Sequence, residues 1–307
     1  MNPYTPVRSV EKFFGTGVFF VEKPFLFRGV CGIILMKGHL RICWKGDFIM
    51  NEERMFHIGL PVTVHANYAL LPGDPGRVPK IAAYLENPHE LGCNREFRTW
   101  AGTLCGETVL VTSTGIGGPS ASIAVEELIA LGVTHFVRIG TCGGMNETVC
   151  AGDVVIATGA IRMEGTSREY LPIEYPAVAD FGLVRALAQS AEELGYRYHT
   201  GVVQSKDSFY GQHSPTSMPN GEELLRKWNA WIAAGCLASE MEAAAIYATA
   251  AARGVRAATV LHVIWNQMRR DKFGDNEESH DVDRAIRTAL AALGHVIRDA
   301  SDHPADR

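Results

Sequence analysis

The stretch VLVTSTGIGGPSASIAVEELIALGVTHFVRIGTCGG, residues 109–144, decides the fold. It reads as a strand, a glycine turn, a helix, a second strand with Arg138 near its end, and a second glycine turn. Strands joined through a helix run parallel, so both turns fall at strand carboxyl ends on one edge of a sheet. Turns there expose backbone N–H groups to an anion. An arginine beside them adds a planar fork of donors matched to phosphate. The combination predicts phosphate chemistry.

The same turn, Gly115-Ile116-Gly117-Gly118-Pro119-Ser120, competes as a dinucleotide-binding fingerprint. Its third glycine is missing, and Pro119 falls in the first helical turn, where a lost N–H costs nothing. A ribose-binding fingerprint also wants an acidic residue at the end of the next strand. Here His135–Ile139 delivers Arg138 instead. Phosphate as a free ligand is the better reading.

Composition bounds the rest. A chain of 307 residues, 47% hydrophobic and 21% charged, holds one large α/β domain or two small ones around a real core. A net charge of −5 gives no support to nucleic-acid or membrane-surface binding. The seven cysteines are scattered, odd in number and free of C-x-x-C pairs, which fits free thiols in a reducing cytoplasm. Residues 1–49 stand apart: rich in Phe, Lys and Arg, with no clear period. Their apolar run, 29–36, is too short to span a bilayer, and no convincing cleavage site follows. They are expected to be a poorly ordered extension, an upstream start ahead of Met50 or Met55. A targeting arm is the alternative.

From Asn67 onward strand-like and helix-like runs alternate. Strands are expected at 68–71, 95–101, 108–113, 135–139, 153–160, 200–205, 236–239 and 257–265. Helices are expected from the Pro72-Gly73-Asp74-Pro75 turn to Glu86, and over 120–131, 178–194, 222–234, 241–253 and 280–300. Alternation of this kind predicts a single-domain three-layer α/β sandwich over residues 50–307, its central sheet mixed, mostly parallel and flanked by helices.

Ligands of such sheets bind beyond strand carboxyl ends. The sequence places there Gly73, Asp74 and Arg77; Thr114 to Gly117; Arg138, Gly140 and Thr141; Lys206 to His213; Ser239 to Glu242; and Trp265 to Gln267. Taken singly, several have bland readings. Arg77 can be a solvated helix residue, Glu240 and Glu242 a charged helix start, Phe209 core and His213 surface. Arg138, closing an apolar strand, resists that treatment. The set decides, not any member.

At this point LLPGDPGRVPKIA, NREFRTWAG, STGIGGPSASIAVEEL, RIGTCGG and SEMEAAA resemble the nucleoside phosphorylase superfamily, and within it most closely the uridine phosphorylases. The likeness runs from about residue 56 to 300. It implies reversible phosphorolysis of uridine to uracil and ribose 1-phosphate in nucleoside salvage, by a pentosyltransferase. It implies a phosphate site of Gly73, Arg77, Arg138 and Thr141, with Arg95 reaching a neighbouring subunit's phosphate. Arg77, Arg138 and Glu242 would carry catalysis. His57 would cross the interface to the ribose, Met241 and Glu242 would hold the sugar, and Glu240 would support them. Phe209 would stack on the base, with Gln212 and His213 beside its edge. A monovalent cation, K+ for instance, would fall on Glu96, Ile116 and Ser120 between subunits of a homohexamer built as a trimer of dimers. Phosphate is then a co-substrate and no cofactor is needed. Small molecules are the partners, without nucleic acid or membrane.

Two departures fall on the base. The family's arginine two residues after the base-reading glutamine is replaced by Ser214, and the arginine after Asn266 by Gln267, with Arg269 and Arg270 close by. Against a purine enzyme, 264–267 lack the Ser-Asp pair that protonates a purine in that branch. A purine phosphorylase, a nucleosidase using water and a non-catalytic nucleoside-binding protein remain the alternatives. A hydrolase gains nothing from the arginine set. On this reading Arg138→Ala raises the phosphate requirement and leaves the fold intact.

Overall fold

The computed structural model describes residues 18–21, 31–36, 39–44 and 53–302. The chain divides into two units, 1–52 and 53–307. In the first, strands β1 (Val18–Val21), β2 (Cys31–Met36) and β3 (His39–Trp44) form an antiparallel sheet in sequence order. The other residues of 1–49, where a poorly ordered extension is expected, lie outside the described residues.

The second unit is an α/β sandwich. Its strands are β4 (Tyr68–Pro72), β5 (Glu86–Asn94), β6 (Phe97–Leu104), β7 (Glu107–Thr112), β8 (His135–Gly144), β9 (Val154–Met163), β10 (Ala177–Val178), β11 (Tyr198–Lys206), β12 (Ala238–Glu240) and β13 (Arg256–Asn266). They form one sheet in the order β10-β9-β11-β12-β8-β4-β7-β6-β5, with β13 bridging β8 and β9. Pairings β4–β7, β4–β8, β8–β13, β9–β11 and β11–β12 are parallel. The β5–β6–β7 edge is antiparallel, turned at Cys105-Gly106 as the sequence suggests.

Side-chain alternation along each strand builds two cores, one on each face. Ala69, Leu71, Leu110 and Phe136 pack with helices α2 (Gly118–Ala130) and α7 (Ala243–Arg253). Tyr68, Leu70, Val109, Val111 and Val137 pack with α1 (Val78–Ala82), α4 (Phe181–Glu193) and α9 (Asp283–Asp302). Helix starts are set by local chemistry: Asp180 accepts from Leu183 N at 2.9 Å to open α4. Gly254, at φ +70°, closes α7 in the left-handed region. Short helices α3 (Thr166–Tyr170), α5 (Phe209–His213) and α8 (Gln267–Phe273) join α6 (Gly221–Ala233) in completing the unit. Among the described residues no helix is long and apolar enough to cross a membrane.

Two differences from the sequence reading matter. The first helix stops at Ala82, and β5 follows, a mostly exposed edge strand with irregular register that carries no apolar alternation to betray it. The second glycine turn is not a turn. Residues 140–144 continue β8, paired to β13 on one side and β12 on the other, so the neighbours' hydrogen bonds hold glycines in extended chain. Arg138 therefore lies within the strand, not at its end.

Candidate active site

A cavity of about 810 Å³ collects residues from at least six elements. The loop after β4 contributes Gly73, Asp74 and Arg77; the β7–α2 turn contributes Gly115 and Ile116; β8 contributes Arg138, Gly140 and Thr141. Lys206 comes from the end of β11, Phe209, Gln212 and His213 from α5, Ser239 to Glu242 from β12 and the start of α7, and Trp265 from β13.

Arg138 is its electrostatic centre. Only 4% exposed, it donates from Nε to Glu240 Oε2 at 3.1 Å and from Nη2 to Glu242 Oε2. Burial works against the guanidinium, but Glu242 and Glu240 hold it charged and shift it upward. Its Nη1 is buried without a protein partner. Glycines make room for it: a Cβ on Gly140 would sit 2.8 Å from Nη2, and one on Gly73 would lie 4.0 Å from Nη1.

The two carboxylates have different duties. Glu240 accepts from Arg138, from Ser205 Oγ and from the backbone N–H groups of Glu242 and Ala243, the last at 2.9–3.0 Å. It caps α7 and fixes Arg138, and its oxygens are occupied by protein donors. Glu242 faces the cavity, taking Arg138 and the N–H of Gly117 at 2.6 Å. Burial pushes its carboxyl above the usual range against the pull of Arg138. Gly117, at φ +88°, is thus turned toward a carboxylate across the cavity. Met241 lies between the two acids on the cavity wall.

Arg77 lines the same wall, less deeply set, 3.9 Å from Asp74. Burial lowers its guanidinium's pKa, with Asp74 opposing. Asp74 in turn caps the short turn at Pro75–Arg77 by accepting from Gly76 N at 2.8 Å. Gly73, Arg77 and Arg138 therefore meet at one end of the cavity, and Thr141 is part of its wall.

The other end is aromatic. Phe209 and His213 lie 4.4 Å apart between ring centroids, and His213 lies 5.7 Å from Trp265. Burial, then Lys206 and Arg270, lower the His213 imidazole's pKa, leaving it neutral near pH 7. Gln212 Oε1 accepts from Ser239 Oγ at 2.6 Å, and Ser239 Oγ accepts from Lys206 Nζ at 2.6 Å. Lys206 and Ser239, which the sequence places at strand ends without a role, are part of the base end. A lysine closing a β-strand beside Phe209 was the available signal.

Neither neighbouring arginine reaches this cavity. Arg269 donates to Asp275 and to Glu147 O at 2.8 Å each, and Arg270 stacks 4.7 Å over Trp265. Asn266 spends its amide on Asn146 O and Val149 O and its oxygen on Arg269 N.

His57 and Arg95 fall outside the cavity wall. His57 Nδ1 pairs with Glu127 Oε1 at 2.7 Å, and Arg95 is exposed on the β5–β6 turn at φ +55°. Glu96 and Ser120 meet, Ser120 Oγ donating to Glu96 Oε1 at 2.7 Å, and that bond holds the carboxyl below its ordinary range. Ile116, beside them on the cavity rim, is 78% exposed.

Known proteins resemble this chain over most of its length. A model of the phosphorylase superfamily matches residues 67–298. The chain is 53% identical to the uridine phosphorylase of Treponema pallidum (strain Nichols) over 253 residues, 82% of this chain and 98% of that protein. It is 39% identical to the uridine phosphorylase of Escherichia coli (strain K12), covering 80% of this chain and 100% of that protein. It is also 38% identical to a guanosine phosphorylase of Halorubrum lacusprofundi (strain ATCC 49239 / DSM 5036 / JCM 8891 / ACAM 34), covering 73% and 92%.

Proposed function

Because the chain belongs to the phosphorylase superfamily, we propose that it cleaves uridine with inorganic phosphate, reversibly, to uracil and ribose 1-phosphate. The observation that carries this reading is Arg138: a buried cation, fixed on two sides, whose third nitrogen is unpartnered and lies near Gly73. A water-using enzyme has no need of such a donor; a dianion does.

The chemistry follows from placement. Arg77, Arg138 and Thr141 hold phosphate below the sugar, sparing the entropy of encounter. A phosphate oxygen bonds to C1′ as the C1′–N bond breaks and its electron pair departs on the base. The proton of hydrogen phosphate ends, through solvent, on that base nitrogen. Glu242 leaves Arg138 and Gly117 to take the ribose hydroxyls, with Met241 packing against the sugar. Phe209 stacks on the base, and Gln212 and His213 stand at its edge.

The remaining assignments belong to the assembly. His57 and Arg95 act across a subunit contact in a homohexamer. The donor set of Glu96 carboxylate, Ser120 hydroxyl and Ile116 carbonyl is all hard oxygen, which suits an alkali cation. Catalysis needs no cofactor. Cys93, Cys105, Cys142, Cys150 and Cys236 are unpaired, which supports a cytoplasmic setting, with salvage of pyrimidine nucleosides there.

Incubation with uridine, thymidine and inosine, each with and without phosphate, tests this. Phosphate-dependent release of uracil is expected, and inosine cleavage or phosphate-independent turnover overturns it.

A further inference from the structure

The two arginines that the family places at the base are missing, and Arg269 and Arg270 are committed elsewhere. One cation does remain at that end. Lys206 is 4% exposed, lines the cavity and lies 5.8 Å from the Phe209 ring.

Its hydrogen bonds run in one direction. An ammonium only donates, so Lys206 Nζ takes a lone pair of Ser239 Oγ at 2.6 Å. The Ser239 proton is thereby free for Gln212 Oε1, also 2.6 Å away. With its carbonyl occupied, Gln212 has its amide N–H groups left for the cavity.

We infer that Lys206 is the positioning residue of the base end. Through Ser239 it fixes Gln212 so that N–H donors face the base, selecting a carbonyl oxygen there over an amino group. The same chain steadies the negative charge that this oxygen gains as the base departs. The role rests on the phosphorolysis reading and deepens it.

The surroundings make the chain sensitive to pH. Facing Lys206 are Glu240 of β12, Glu242 at the start of α7, Cys142 of β8 and His213 of α5. Burial lowers the Lys206 ammonium to about 8, with Glu240 and Glu242 opposing. Burial raises the Cys142 thiol, and His213 is already neutral, so neither changes charge in that range. Below about pH 8 the lysine donates and the chain points as described. Above it, a neutral amine can accept from Ser239, the chain reverses, and Gln212 is released to rotate.

The test measures kcat and KM for uridine and cytidine from about pH 6 to about pH 10, at saturating phosphate, with the full chain, K206M and S239A. Native enzyme is expected to lose uridine kcat/KM as pH rises through about 8. In K206M that limb disappears, and any fall due to ionisation of the base itself remains. KM for uridine rises roughly tenfold or more, discrimination against cytidine narrows, and KM for phosphate stays within about twofold. S239A, a smaller change, is expected to reproduce the loss with the lysine still present, and it carries the test if K206M does not fold. An unchanged uridine KM and pH limb in both variants of an active enzyme overturns the role of Lys206 alone. Absence of phosphate-dependent uridine cleavage by the native chain overturns the function as well.

Discussion

Arg77 and Arg138 share a cavity but are held differently, and the difference separates affinity from stability. Arg138 is clamped between two buried carboxylates, while Arg77 has only a distant Asp74. Removing Arg138 leaves Glu240 and Glu242 buried without the cation that hydrogen-bonds both, a loss of roughly 3–5 kcal/mol. The sequence expectation that Arg138→Ala spares the fold is revised on that ground. Arg138→Met is expected to lower the denaturation midpoint clearly and abolish activity. Arg77→Met is expected to stay within about 1 kcal/mol of native stability while KM for phosphate rises roughly 10–100-fold, the worth of a charge-assisted hydrogen bond. Chemical denaturation and phosphate titration of both variants check the pair. Equal stability losses would put the burial argument aside. The triplet Glu240-Met241-Glu242 was legible as two acids near a cleft. The resemblance gave Glu242 the sugar and Glu240 a supporting place; that Glu240 supports by capping α7 and fixing Arg138 was not legible, because both are glutamates flanking one methionine.

At the scale of elements, β8 is the working part. Its apolar half buries into both cores, and its glycine half passes between β12 and β13 with the guanidinium alongside. A Cβ at Gly140 would come within 2.7 Å of Leu261 Cδ2 and 2.8 Å of Arg138 Nη2. Gly140→Ala is therefore expected to cost about 1–3 kcal/mol in overpacking and to depress kcat/KM by displacing Arg138. Gly106→Ala is the control: its φ is +83° but nothing lies within 4 Å, so it strains a distant hairpin and leaves kcat/KM unchanged. Thermal melts beside phosphorolysis rates separate the two. Equal kinetics in both variants would mean that Arg138 has slack. A Gly-rich run in sequence reads as a turn; only the strands on both sides make it a strand, which is why this element was misread.

For the molecule as a whole, His57 and Arg95 are the informative residues, since each carries chemistry and neither lines the cavity of its own chain. If both serve a neighbouring copy, Arg95→Ala and Arg77→Ala chains are defective at different sites of a shared pair. Mixed after dissociation and reassembly, two inactive proteins should recover about a quarter of native activity, because half of random pairs are mixed and each mixed pair has one intact site. Recovery in a phosphorolysis assay supports shared sites. No recovery, with assembly verified by light scattering, places Arg95 outside the machinery.

Sequence by itself determined the layers, most strand and helix positions and the cavity's cast, because apolar alternation and strand-end chemistry are local and follow from residue order. It also determined the family, through motifs spread over five segments. Tertiary structure alone decided that 140–144 is strand, that β5 is an edge, and that Glu240 caps α7. It alone joined Lys206, Ser239 and Gln212 into one chain of donors. Those facts depend on which backbone lies beside which and on where a proton is left free once every neighbour has taken its share. Residue order does not record either.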